Sequence, residues 1–244
     1  MAYEPILCGG CGQRERCRVL ELGCSLPGAH AIRITQEEFR ADASIPASQG
    51  CLLAVKSGAV KTVCRDRLHQ ARVVDFSFPG DWIGLERLTE DPEQAPVDYR
   101  ASVSMTTICR IGFDRAAAER LSAGFCECLS TELARRIRAN FEYRQIVLQE
   151  APVRVAHYLL RLLRAQQERD DAAAAVLPAI ARADMASYLQ LRVETVSRLL
   201  TRFRRNGWVR GPLHRLEVAD ADALAALVRS AEPPQHRHRW ALHG

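Results

Sequence analysis

Lysine is nearly absent from this chain: Lys56 and Lys61 are the only two, and arginine supplies the rest of the 34 basic groups. We read that bias as genome composition. No apolar run approaches the roughly 18 residues that a membrane helix needs, which excludes an integral membrane protein built of helices. The first ten residues, Met1 to Gly10, have no positive charge and no apolar core of signal length, so the expected location is the cytoplasm. No Ser/His/Asp set, phosphate loop or paired-carboxylate motif stands out, which argues against an enzyme. No internal repeat is present either.

What is there fits an ordinary soluble globular protein. The 244 residues suffice for two modest domains, with 48% hydrophobic and 26% charged residues. The net charge of +5 is uneven. Residues 1–150 hold 19 basic and 20 acidic groups, whereas residues 151–244 hold 15 basic and nine acidic. A basic C-terminal part on a near-neutral body points to a polyanion partner for that part alone. The cysteines are nine: Cys8, Cys11, Cys17, Cys24, Cys51, Cys64, Cys109, Cys126 and Cys128. An odd number without an export signal favours metal or redox chemistry in a reducing cytosol over a disulfide framework.

From about Ala31 to Phe113 the pattern is one of short strands. Cys51–Val55 and Ala59–Cys64 are apolar runs joined around Ser57-Gly58, which reads as a hairpin. Val73–Phe78 is a further strand, stopped by Pro79-Gly80, and Val97–Phe113 holds one or two more. The stretch from Glu86 to Asp98 reads as a loop. Such strands predict a β-barrel or jelly roll. Beyond Asp114 the period becomes helical, and Leu129, Leu133, Ile137, Phe141 and Leu148 predict one helix of roughly 25 residues before Pro152. The stripe Leu133, Ile137, Asn140, Arg144 and Val147 steps 4-3-4-3, as a coiled-coil seam does; packing of that stripe on the barrel is the alternative. Val155–Leu163 reads as an amphipathic helix and Gln166–Ala175 as a loop, while the tail from Pro233 reads as disordered.

Asp184–Leu189 and then Val193–Arg205 have the size of a helix-turn-helix. Val196, Leu199, Leu200 and Phe203 form one face of the second helix; Glu194, Ser197, Arg198 and Arg202 project from the other. Early residues of such a recognition helix meet base edges, where arginine binds guanine and glutamate accepts from cytosine. Arg192, Arg198, Arg202, Arg204, Arg205, Arg210 and Arg215 are spaced to meet phosphates or bases, with Glu194 the single acid among them.

The cysteine arm reads C-x2-C-x5-C through Cys8, Cys11 and Cys17, with Gly9, Gly10 and Gly12 allowing close backbone approach. Two thiolates two residues apart grip one metal centre, but a fourth ligand is required and no second C-x2-C exists. Three clustered cysteines plus a distant one suit an iron–sulfur cubane, while zinc and no metal at all stay open. Cys51, Cys64, Cys126 and Cys128 read as buried small apolar residues.

Val193-Glu194-Thr195-Val196-Ser197-Arg198-Leu199-Leu200 resembles the recognition helix of the CRP/FNR transcription regulators. Lys56–Thr62 and Phe78–Gly84 are similar to segments of that family's barrel. Valine at position 193 and the cysteine spacing resemble the oxygen-sensing FNR branch. The resemblance implies an α+β fold: a cysteine-rich arm (1–22), a β-barrel or jelly-roll sensor like a cyclic-nucleotide-binding domain (23–115), a dimerisation helix (116–150), a winged helix-turn-helix (151–232) and a tail (233–244). Gly207–Glu217 would be the wing. It implies Cys8, Cys11, Cys17 and Cys109 as ligands of a [4Fe–4S] cluster, with Cys24 an extra thiol that could compete. Glu194, Ser197 and Arg198 would read bases in a TTGAT-N4-ATCAA-like palindrome, Arg192, Arg202 and Arg205 adding contacts. The homodimer would act on RNA polymerase as an activator or repressor, and oxygen would switch it off by destroying the cluster. The family's phosphate-binding Arg-Ser-Ala element is out of order here, in Tyr99-Arg100-Ala101-Ser102, so cyclic nucleotide is not the expected effector. A regulator holding another small molecule, or a structural metal, is the alternative. Two departures carry an expected cost: Gln190 stands where the family turn has glycine, and Ala181 where its first helix has a Thr or Ser cap.

Overall fold

The computed structural model describes Cys11 and residues 32–46, 51–65, 70–85, 97–113, 123–167, 177–212 and 215–231. The strands are β1 (Ile32–Phe39), β2 (Ser44–Ile45), β3 (Cys51–Ser57), β4 (Val60–Arg65), β5 (Ala71–Ser77), β6 (Trp82–Ile83), β7 (Val97–Ala101) and β8 (Thr106–Phe113). They form two antiparallel four-stranded sheets, in the orders β1-β8-β3-β6 and β2-β7-β4-β5. Ile45, Leu53, Val55, Val60, Ile83, Tyr99 and Ile108 fill the space between the sheets. The N-terminal domain is thus a jelly-roll sandwich; among the described residues the sheets do not close into a barrel.

The expected hairpin between the first two apolar runs is not formed. β3 pairs with β6 and β8, while β4 pairs with β5 and β7, so the two runs lie in different sheets. The turn at Ser57-Gly58 is real, but it carries the chain from one sheet to the other. Gly58 has φ +81°, and a Cβ there would stand 2.6 Å from the Thr106 Oγ1 and 2.8 Å from its Cα. Only glycine meets both demands. Leu52, Leu53, Ala54 and Val55 are all buried because β3 is covered on both faces: Leu53 and Val55 face the opposite sheet, Leu52 and Ala54 the outer side. Val97–Ala101 form β7, within the run read as strands from Val97 to Phe113; residues 86–96, most of the expected loop, lie outside the described set.

Helix α1 (Ala123–Val147) has the expected 25 residues. It turns Leu129 onto the outer face of the first sheet and buries Glu132 and Ile146. The Arg135 guanidinium joins Glu132 at 2.7 Å to Asp81 at 3.1 Å, tying the helix to the turn before β6. Burial alone would raise the Glu132 carboxyl, but Arg135 and Arg136 more than offset it and hold it below its ordinary range.

After a short turn come α2 (Ala151–Gln167), α3 (Arg182–Leu189), α4 (Val193–Arg205), the wing strands β9 (Val209–Arg210) and β10 (Glu217–Val218), and α5 (Ala221–Ala231). Pro152 sits in the first turn of α2, where a missing N–H costs no helical bond. One apolar core joins these helices to the second sheet, through Val63, Val73 and Phe76 against Tyr158, Tyr188 and Leu189. Polar contacts reinforce the joint. The Lys61 ammonium, 9% exposed, meets Asp42 at 2.6 Å and Asp184 of α3 at 2.8 Å. Burial pulls its pKa down, yet the two carboxylates more than compensate and leave it above its ordinary value. Val73 N–H donates to the Ser187 hydroxyl at 2.9 Å, and Arg161 holds Asp75 at 3.0 Å.

Candidate DNA-binding surface and cysteine site

Helix α4 turns Val196, Leu200 and Phe203 inward. Glu194, Arg198, Arg202 and Arg205 are exposed on its other side, with Ser197 half-buried beside them and Arg192 exposed at the N-cap. At 100° per residue, Glu194, Ser197, Arg198 and Arg205 share one side of the helix and Arg202 flanks them. The side chains expected to meet DNA are therefore grouped on one surface. Arg204 differs: it is half-buried, and its Nε donates to the Gly211 carbonyl at 2.9 Å. It anchors the wing to the recognition helix. A Cβ on Gly211 would lie 2.4 Å from the Arg215 carbonyl, so the wing turn also requires glycine.

The two ends of α3 carry the two expected departures. Gln190 adopts φ 54°, ψ 45°, the left-handed conformation. Its N–H closes the helix end onto Ala186 and Ser187 carbonyls, and its side-chain amide reaches the Tyr143 hydroxyl at 3.3 Å. Ala181 has the extended geometry of an N-cap but offers no side-chain acceptor.

On α1, Leu133 is 43% and Ile137 58% exposed, Asn140 and Arg144 are exposed and Val147 is half-buried. Much of that stripe is left uncovered by the described residues of its own chain. Phe141 and Leu148 are exposed beside it, at 61% and 83%.

Of the four expected cluster ligands, two are described. Cys11 is half-buried and Cys109 is 9% exposed. Cys8 and Cys17 lie outside the described residues, as does Cys24, and among the described residues no three His, Cys, Asp or Glu groups converge on a metal position. Cys109 occupies the interior strand β8, between Gln36 and Ala54, and points outward toward α1. Its neighbours there are Leu52, Ala54, Trp82, Leu85 and Ile111, with Leu129 of α1 packed against them. The Trp82 indole Nε1 is buried and has no partner among the described residues. A thiolate-ligated group at this position fits that surrounding, since it would bring acceptor sulfur to an unmet donor. The expectation of burial fails for Cys126, which is exposed on the first turns of α1; Cys51 and Cys64 are half-buried at strand ends. Sequence reasoning passed over Lys61 and Trp82. A lone lysine inside an apolar strand run was a signal that it needed an acid partner.

A sandwich domain joined through a long helix to an arginine-faced helix-turn-helix is the architecture of a DNA-binding transcription regulator. Residues 153–227 match the family model of the Crp-like helix-turn-helix domain. The chain is 30% identical to the transcriptional activator protein Anr of Pseudomonas aeruginosa over 73% of both chains. It is 29% identical to the transcriptional activator protein FnrA of Stutzerimonas stutzeri, over 74% of this chain and 73% of that one. Among solved structures, FixK2 of Bradyrhizobium japonicum superposes with a TM-score of 0.65 at 23% identity, over 80% of this chain and 96% of that one. The chain belongs to the CRP/FNR family of transcription regulators.

Proposed function

We propose that this regulator is an FNR-type oxygen sensor, active as a homodimer in the cytoplasm. In this reading Cys8, Cys11, Cys17 and Cys109 hold a [4Fe–4S] cluster. When bound, that group supplies oxygen-labile chemistry, because oxygen oxidises it and its irons are lost. The observation that carries the reading is the position of Cys109. Its side chain shares a buried cluster with Leu129, which lies one turn before the exposed Leu133 and two turns before the exposed Ile137 on the same helix. Asp81, next to Trp82 in that cluster, also grips Arg135 of the same helix. Ligation at Cys109 thus acts on the side chains that seat α1 on its own sensor, and through α1 on the surface offered to a second chain.

The dimer would pair Leu133, Ile137, Asn140, Arg144 and Val147 with their copies, and present two recognition helices to a TTGAT-N4-ATCAA-like palindrome. Glu194, Ser197 and Arg198 would read bases, while Arg192, Arg202 and Arg205 bind the backbone nearby. Bound there, the dimer would act on RNA polymerase, chiefly as an activator like its relatives Anr and FnrA. Purification without oxygen tests the reading. The protein should be brown, hold about four irons per chain, and bleach in air. Cys8→Ser, Cys17→Ser or Cys109→Ser should each abolish the colour, and Cys51→Ser should not. Stoichiometric zinc without iron would overturn it.

A further inference from the structure

The outer cluster on the first sheet contains one feature that packing alone does not account for. Trp82 is 1% exposed, yet among the described residues its Nε1–H meets no acceptor. Buried indoles ordinarily find a partner for this donor, and leucine or phenylalanine would fill the same space with no donor to satisfy. Trp82 pairs with Ala54 across β6 and β3, and Ala54 pairs with Cys109 across β3 and β8. The three residues stand in one row and project from the same face. Adjacent strands lie about 4.8 Å apart, and the only side chain between indole and thiol in this row is a methyl group. The other members of the cluster, Leu52, Ala54, Leu85, Ile111, Ile34 and Leu129, are hydrocarbon. Cys109 is the one cluster side chain besides Trp82 with a hydrogen-bonding atom.

We propose that the Trp82 Nε1–H is the hydrogen-bond donor to sulfur at the iron–sulfur centre ligated by Cys109, and so a positioning residue that sets the stability of that centre. The assignment rests on the functional reading above. A protonated thiol is a weak acceptor, whereas iron-bound thiolate and sulfide carry charge and accept strongly. Hydrogen bonds to these sulfurs, together with burial, set the reduction potential of such centres. The indole supplies both the donor and the cover, in a site where Ala54 leaves room.

Ultraviolet resonance Raman spectroscopy of the full-length chain, without oxygen, tests this directly. The indole band sensitive to N–H hydrogen bonding should shift between iron-free and iron-loaded wild type. The shift should persist in Trp208→Phe and vanish in Trp82→Phe. Trp82→Phe should bind the same iron, be reduced at a lower potential, and bleach severalfold faster in air. An iron-loaded wild type with an unmoved indole band would overturn the assignment and leave the oxygen-sensor reading intact. Wild-type potential and bleaching rate in Trp82→Phe would overturn it equally. Should Trp82→Phe fail to fold, the wild-type band still decides. A wild type that takes up no iron would instead overturn the sensor reading on which the assignment stands.

Discussion

Ala181 and Gln190 mark the two ends of α3, and each leaves a local cost uncorrected. Ala181 has φ −61° and ψ 142°, which is N-cap geometry without an acceptor side chain. Ala181→Ser should add about 1 kcal/mol of stability. Gln190 holds a left-handed conformation that costs roughly 1 kcal/mol for a residue with a Cβ. Gln190→Gly should recover about half of this, since glycine also loosens the unfolded chain and the contact with Tyr143 is lost. Urea denaturation of the single and double variants checks both, and the gains should add because the sites are well separated. A loss in either variant would show that the turn is already compensated. The DNA contacts also divide residue by residue. Arg198 is exposed in the first half of α4 and Arg205 in its last turn. Arg198→Ala should cost roughly 1–3 kcal/mol on a TTGAT half-site and far less on random DNA. Arg205→Ala should weaken both alike and lower the salt slope by about one unit. Equal losses from the two changes on both DNAs, in filter binding across salt concentrations, would refute this division.

At the scale of elements, α1 is the part with one covered flank and one exposed flank. Its inner side is fixed by Leu129, Glu132 and Ile146, and by the Arg135–Asp81 ion pair. Its outer side exposes Leu133, Ile137, Phe141 and Leu148, with Arg144 standing between the last two. Two copies of Arg144 brought together across a two-fold axis lose water and repel one another. The proposed dimer should then be weak by itself, and a bias of about 2.7 kcal/mol from the proposed cysteine site would shift it roughly a hundredfold. Arg144→Leu removes the penalty and completes the apolar stripe. In sedimentation runs on air-exposed protein, this variant should be dimeric where the wild type is monomeric. Two monomers would mean that α1 is not the interface; a tight wild-type dimer without iron would mean that dimerisation is not the switch.

At the scale of the whole molecule, acid should loosen the contact between sensor and helices in two steps. His157 of α2 lines a cavity of about 300 Å³ with Asp81, Arg135, Glu142, Arg161 and Arg164. Burial first, and then Arg164, lower its pKa below the ordinary 6.5. The unfolded chain therefore takes up a proton before the folded one does. The stability that neutral His157 contributes is full above about pH 6.5 and is lost as pH falls through the folded value. Glu132, held below its ordinary 4.5, acts in the same direction at lower pH: its contribution is present above 4.5 and disappears as pH drops through its folded pKa. Thermal melts should show Tm falling between about pH 7 and pH 5.5, and His157→Gln should flatten that slope. Parallel slopes in the two proteins would exclude His157 as the cause.

Sequence by itself determined what local interactions decide. Helical period gave α1 and the helix-turn-helix, because side chains three and four apart share a face. Ser57-Gly58 marked a reversal, since a backbone at φ +81° admits little but glycine. Gln190 and Ala181 were legible as a strained turn and an empty cap through the resemblance to the family, which has glycine and a Thr or Ser cap there. Tertiary structure alone decided what depends on residues far apart in the chain. Which strand lies beside β3 is set by sheet topology, and the turn signal that suggested a hairpin carries no information about it. Lys61 reads as any lysine until the fold brings Asp184, 123 residues away, within 2.9 Å. The outward face of Cys109, the neighbouring Trp82 and the contact with Leu129 likewise follow from β8 lying inside a sheet covered on both sides. Burial turns such long-range choices into energy, because a charge or donor removed from water must find its partner wherever the chain brings one.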